Sequence, residues 1–293
     1  NIDFAAATLA AAGCIGPVIP PSIMMVVLAT TSNISVGALF LGGILPGLLM
    51  SASLLIACYI HARRGGPAYR DSVPFSFKRV VDAAVSAIPA GGIAVMLVGG
   101  IMTPTEAAGV AVLASILVGK YCYRELTFSE LPALLLRAAA MSAAVMIVIS
   151  TANVFAWLIT SQDIPALISH YLGAFADDRI LFLLVANIIL LLIGTFMEGI
   201  SALLIVMPIL QPIADHLGID PVHFGVVVII NLSVGMLTPP YGGTLFVAAT
   251  IANRNVAQVS RQIAMPMVAL SGALLITTYY PPLVTWLAGV IAP

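Results

Sequence analysis

Two short stretches place paired prolines in apolar surroundings: Gly16-Pro17-Val18-Ile19-Pro20-Pro21 and Gly235-Met236-Leu237-Thr238-Pro239-Pro240. Proline has no N–H, and its ring clashes with the carbonyl four residues back, so each pair must break a helix and free several carbonyl oxygens. Hydrocarbon cannot satisfy those oxygens; they persist only against protein, water or an ion. Carbonyls at a helix C-terminus are hard ligands at a negative dipole end, which suits Na+. Gly16 and Gly235 permit a turn and a close approach. The Thr238 hydroxyl can add an oxygen, and Ser22 is a weaker source of one. Beyond each proline pair a new helix would start, at Ser22 or Gly242, and its free N–H groups favour a carboxylate. A kinked structural helix would account for one such pair, but less readily for two.

A carboxylate sits in a turn between two apolar runs, Gly194-Thr195-Phe196-Met197-Glu198-Gly199-Ile200-Ser201, at the tip of a helical hairpin over 180–216. An acid within a membrane segment is a functional candidate, here on the substrate side. Capping of the helix over 201–214 by Glu198 is the structural alternative, and both fit the spacing. Other polar residues read as structural. Thr103-Pro104-Thr105-Glu106 has the form of a capping box with proline at the first helical position, and Asp220-Pro221 is a second N-cap followed by proline. His216 and His223 read as solvated residues at the membrane edge. The three cysteines, Cys14, Cys58 and Cys122, are far apart and lack Cys/His spacing, so they read as packing residues rather than disulfide partners or zinc ligands.

The elements that carry these residues must live in lipid. The chain has 293 residues, of which 61% are hydrophobic and 8% charged, with a mean hydropathy of +1.13; a soluble domain carries about a quarter charged residues. This composition implies an all-α polytopic membrane protein with the bilayer as its solvent. A net charge of −1 supplies no field for nucleic acid. The runs 36–60, 138–160 and 257–280 are long enough to cross a membrane as single helices. Runs such as 22–31, 201–214 and 242–252 are short and read as hairpin arms and discontinuous helices. The loop 61–79, with Arg63, Arg64, Arg70, Lys78 and Arg79, is expected inside, as are 120–137 and 253–261. Segment 161–178 has three aspartates and no Lys or Arg, and is expected outside. Segment 73–88 reads as lying on the inner surface.

The two proline motifs belong to an internal repeat. Thr30, Asn33, Val36, Pro46, Ser51, Leu54, Leu55, Ile56 and Tyr59 match Thr250, Asn253, Val256, Pro266, Ser271, Leu274, Leu275, Ile276 and Tyr279 at one constant offset. In the first copy the basic loop follows the long apolar run, and in the second it precedes it, so the two copies are expected in opposite orientation. Inverted repeats with broken helices are a mark of secondary transporters. The chain begins at Asn1 within an apolar run, and the first copy has no counterpart of the 180–216 hairpin. The natural chain is therefore expected to start roughly a hundred residues or more earlier.

The stretches IGPVIPPSIMMVV, ISVGALFLGGILPG, TPTEAAGVAVL, MEGISALLIVMPILQPIA, LGIDPVHFGVVVIINLSVGMLTPP and LFVAATIA resemble, in order, the large membrane subunit of TRAP (tripartite ATP-independent periplasmic) transporters, the DctM-type component. The sequence departs from that pattern at Met24, where proline is common, and at Tyr241-Gly242-Gly243, where an apolar residue and one glycine are expected. The resemblance implies an inverted-repeat, elevator-type transporter. Residues 1–60 and 180–293 would form the transport domain and 80–160 the scaffold, with 61–79 as a cytoplasmic connector and 161–179 as a periplasmic or interfacial segment. It implies Na+ sites at Gly194, Gly235 and Thr238 in the second copy, and at Gly16, Ile19 and Pro20 in the first. Ser22, Glu198 and Gly242 remain the substrate-side candidates. The resemblance further implies a small four-helix membrane subunit (DctQ-type), a periplasmic substrate-binding protein (DctP-type), organic acid substrates such as C4-dicarboxylates or sialic acid, and a place in the bacterial inner membrane.

A cation or proton antiporter with crossed broken helices is the alternative, though it would ordinarily place Asp or Lys at the crossing, where this chain has Pro, Gly and Thr. An intramembrane hydrolase would need a Ser/His, paired-Asp or H-E-x-x-H arrangement, and none is present in the apolar runs. The chain is thus expected not to be an enzyme.

Overall fold

The structure is a computed structural model that describes residues 2–65, 76–77, 81, 92, 96, 102–124, 126–162 and 178–291. Most of the 61–79 and 161–178 segments and of the 73–88 surface segment, and so their expected sidedness, lie outside the described residues. The helices are α1 (Ile2–Gly13), α2 (Ile23–Ser32), α3 (Val36–Arg64), α4 (Pro104–Leu117), α5 (Leu131–Ser161), α6 (Arg179–Phe196), α7 (Gly199–His216), α8 (Pro221–Gly235), α9 (Gly243–Ile251), α10 (Val256–Ser260), α11 (Ala264–Tyr279) and α12 (Pro282–Ile291). No strand occurs among the described residues. The chain divides into two compact units, residues 1–70 with 152–293, and residues 71–151.

The smaller unit holds α4 and the start of α5. Thr103 and Glu106 form the expected capping box: the Glu106 N–H donates to Thr103 Oγ1 and the Thr103 N–H to Glu106 Oε2. Pro104 occupies the first helical position, where its missing N–H costs nothing. The last turn of α4 widens into a π-turn over Val118–Cys122. Thr127 makes a similar pair with Glu130 before α5.

The larger unit is built around α8, whose residues from His223 to Gly235 are all buried. A helix apolar on every side belongs in a core, and α2, α3, α6, α7, α11 and α12 pack around it. The expected hairpin is present as α6 and α7, each long and apolar enough to cross a membrane, as α3 is. The expected single span over 257–280 is instead divided. α10 ends at Ser260, α11 starts at Ala264, and α11 meets α12 at a bend of 61°. The bend falls at Pro281-Pro282. Pro281 has no N–H for the Thr277 carbonyl one turn earlier, and that carbonyl bonds His223 Nε2 at 2.9 Å instead. His223 is therefore fully buried, against the expectation that it is solvated, whereas His216 is exposed as expected.

The repeat is realised in the backbone. Helices stop at Gly13 and Gly235 and restart at Ile23 and Gly243, so both proline motifs interrupt helices as expected. Both Pro–Pro bonds are cis, and Asn33 and Asn253 are both left-handed, with φ of 54° and 51°. Two residues further on, Ser35 and Asn255 both cap the next helix.

Candidate functional site

α6 and α8 run in parallel, and three rungs join them. Phe182 meets Phe224 with ring centroids 5.9 Å apart, Asn187 meets Asn231, and Gly194 meets Gly235. At the last rung the two backbones touch. A Cβ on Gly235 would lie 2.7 Å from Gly194 Cα, and one on Gly194 would lie 2.9 Å from the Leu232 carbonyl oxygen. Only glycine allows this approach. It brings the last turn of a hairpin arm against the C-terminal end of α8, where the helix dipole is negative.

The second break, 236–242, folds back on itself. The Thr238 N–H donates to the Gly235 carbonyl at 2.8 Å and the Leu237 N–H to Val234 at 3.0 Å. The Thr238 hydroxyl donates to the Val234 carbonyl at 3.3 Å, leaving its lone pairs available. The Met236 carbonyl takes both the N–H and the hydroxyl of Thr244, at 3.2 and 2.9 Å. Gly242 closes the loop so tightly that a Cβ would sit 2.5 Å from the Met236 carbonyl oxygen. The carbonyls of Leu237 and Pro239 receive no hydrogen bond among the described residues. Gly194, Gly235 and Thr238 thus come together, and Gly242 starts α9 beside them.

The first break, 14–22, is held differently. Ile15 accepts from the N–H groups of Val18 and Ile19. The buried Ser22 hydroxyl donates to the Pro17 carbonyl and accepts from the Met25 N–H. That side chain is committed inside the break, so an anion at the start of α2 would rely on backbone N–H groups. Gly16, Ile19 and Pro20 share the break, but among the described residues a Cβ on Gly16 would meet only the Gly13 carbonyl, at 3.5 Å. The close approach here comes from α3: Gly43 lies against the Val18 carbonyl and Gly47 against Ile19.

The two breaks cross. The C-terminal end of α1 adjoins the N-terminal end of α9, with Cys14 Sγ 3.8 Å from Thr244 Oγ1. The start of α2 and the end of α8 meet at the hairpin tip, where Met24 and Met236 both pack on Gly199. Opposite dipole ends are thereby paired. Phe196 and Tyr241, both exposed, pair across the tip with centroids 5.8 Å apart. Glu198 is also exposed, and its carboxylate caps α7 by accepting from the N–H groups of Ile200 and Ser201 at 2.9 and 3.1 Å. Among the described residues no three His, Cys, Asp or Glu side chains converge on one point. The oxygens on offer are carbonyl and hydroxyl, the donor set of a monovalent cation rather than of zinc.

The profile of the family described as the DctM component of the tripartite ATP-independent periplasmic transporters matches residues 1–283. The chain belongs to the DctM family. It is 41% identical to the isethionate TRAP transporter permease protein DctMQ of Oleidesulfovibrio alaskensis, covering 98% of this chain and 46% of that protein. It is 37% identical to the C4-dicarboxylate large permease DctM of Pseudomonas aeruginosa and 34% identical to the sialic acid large permease SiaM of Vibrio cholerae, covering 95% of this chain and 66% of each. The chain thus spans about half to two thirds of the length of these curated relatives. All three are named as transporter permeases, not enzymes, and a DctM protein belongs to the bacterial inner membrane.

The sequence reading missed one polar group in this DctM chain. Asn187 lies in an apolar run with no motif around it and Asn231 four residues before the second proline motif, and only the packing of α6 on α8 brings them together. An amide in each of two otherwise apolar runs was the available signal.

Proposed function

We propose that this DctM chain carries the substrate path of a Na+-coupled importer of organic acids, delivered by a periplasmic binding protein and completed by a small four-helix membrane subunit. The observation that carries the reading is the backbone contact of Gly194 with Gly235 beside the Thr238 hydroxyl and the Leu237 and Pro239 carbonyls, which accept no hydrogen bond among the described residues. Carbonyls of Gly194 and Gly235 with the Thr238 hydroxyl would hold one Na+, and Gly16, Ile19 and Pro20 would supply carbonyls to another. The N–H groups at the starts of α2 and α9, after Ser22 and Gly242, would receive the acid. Relatives are named for isethionate, C4-dicarboxylates, sialic acid and 2,3-diketo-L-gulonate, all organic acids, so the shared recognition would address an anionic head. In the elevator reading, 1–60 and 180–293 would move against a scaffold over 80–160. The opposed charge patterns of the two repeats support inverted orientation.

The test is uptake of a panel of organic acids by the full-length subunit with its partners in proteoliposomes, driven by a Na+ gradient alone or a proton gradient alone. The proposal expects uptake that needs Na+ and the binding protein. Cation-for-proton exchange without uptake of any acid would favour the cation/proton antiporter, and acid uptake indifferent to Na+ would overturn the Na+ coupling.

A further inference from the structure

A polar chain buried within α6, α8 and α11 is not used by the cation reading. Asn187 and Asn231 are 3% and 0% exposed. Asn231 Nδ2 donates to Asn187 Oδ1, Asn187 Nδ2 donates to Thr278 Oγ1 at 3.2 Å, and the Thr278 hydroxyl donates to the Leu274 carbonyl at 2.9 Å. Asn231 Oδ1 has no partner among the described residues. Turning the amides over does not cure this, because Asn231 offers two polar atoms to one neighbour and one of them stays unpaired. An unpaired polar atom is costly away from water. Two apolar side chains would hold the helices together without that cost. Stability alone therefore does not account for the pair.

Its placement does. Gly194 follows Asn187 by seven residues on α6, and Gly235 follows Asn231 by four on α8; both spacings return to the same helix face. The amide bond and the glycine contact are consecutive rungs of one parallel interface. A directional hydrogen bond fixes the rotation and register of α6 against α8, whereas dispersion contacts between apolar side chains tolerate sliding. In the first repeat the position matching Asn231 is Ala12, which has no side-chain amide to offer. We propose that Asn187 and Asn231 are positioning residues for the second-break cation site, holding the Gly194 and Gly235 carbonyls in register for the ion. This inference rests on the cation reading above.

The experiment measures uptake against Na+ concentration, together with the melting temperature, for the full-length subunit with its partners. It compares wild type, Asn231→Leu, the double variant Asn187→Leu/Asn231→Leu, and Thr238→Val as a reference. Both asparagine variants are expected to raise the Na+ concentration for half-maximal uptake roughly ten-fold, with the rate at saturating Na+ changed less than about two-fold. The double variant leaves no orphaned amide, so it is expected to regain thermal stability while its Na+ requirement stays raised. Recovery of both properties in the double variant would make the pair a structural bond only and overturn the proposal. If Thr238→Val raises the Na+ requirement and neither asparagine variant does, the proposal falls and the cation reading stands. If Thr238→Val also leaves it unchanged, both fall.

Discussion

Among the described residues the first break is walled by α3, whose Gly43 and Gly47 admit the Val18 carbonyl and the Ile19 side chain. In the second the wall is α6, whose Gly194 admits Gly235 itself. The repeat register places Ile263 and Met267 where the first copy has Gly43 and Gly47, so the second copy cannot use the same groove. Both copies keep the paired prolines, the left-handed Asn and the cap two residues beyond it. Both copies thus share what a proline pair dictates locally, while among the described residues different helices stand beside the two breaks.

The largest contrast is expected from alanine at the two matching glycines. Gly235→Ala would put a Cβ 2.7 Å from Gly194 Cα, a backbone atom that cannot yield. The separation of α6 from α8 is expected to cost about 1–3 kcal/mol or more, seen as a lowered melting temperature and loss of Na+-dependent uptake. Gly16→Ala meets only the Gly13 carbonyl among the described residues, at 3.5 Å, so a loss as large as that of Gly235→Ala would show that a further backbone packs against Gly16.

Gly43→Ala sharpens the comparison from the other side. Within a helix the change ordinarily gains about 0.5–1 kcal/mol, but here the Cβ would lie 2.4 Å from both the Val18 carbonyl oxygen and Met25 Cε. The clash with backbone is expected to win, for a net loss of about 1–2 kcal/mol in thermal unfolding. A net gain would show that α3 does not brace the first break.

The smallest effect separates capping from charge at the hairpin tip. Glu198→Ala removes the acceptor that holds the Ile200 and Ser201 N–H groups and is expected to lose about 1 kcal/mol. Glu198→Gln keeps an acceptor and is expected to lose only a few tenths. If Gln nonetheless abolishes uptake, the carboxylate serves the substrate or ion directly.

These contrasts follow the line between what the sequence disclosed and what it hid. Breaks, caps and hairpin were readable because their causes are local: Pro20-Pro21 and Pro239-Pro240 end helices wherever they stand, and Thr103, Glu106 and Asp220 cap through neighbours a turn away. The family resemblance put Gly194 and Gly235 at one expected Na+ site, but the touching of their backbones emerges only from the packing of α6 on α8. The Asn187–Asn231 pair and the burial of His223 depend on partners far along the chain, with Thr277 lying 54 residues from His223. The division of 257–280 falls between Ser260 and Ala264, where no proline or glycine marks it in the sequence. Ser22 was read as an open hydroxyl because its acceptor, Pro17, exists only once the break has folded.

The most direct test of the central claim is the Na+ dependence of uptake by Thr238→Val in the full-length subunit with its partners. Valine keeps the shape and removes one oxygen while sparing the carbonyls of Gly194 and Gly235. Loss of one hydrogen-bond-scale ligand, about 1–2 kcal/mol, is expected to raise the Na+ half-saturation point roughly ten-fold. Substrate affinity is expected to fall at limiting Na+ and recover at saturating Na+. An unchanged half-saturation point in folded, active protein would contradict the account.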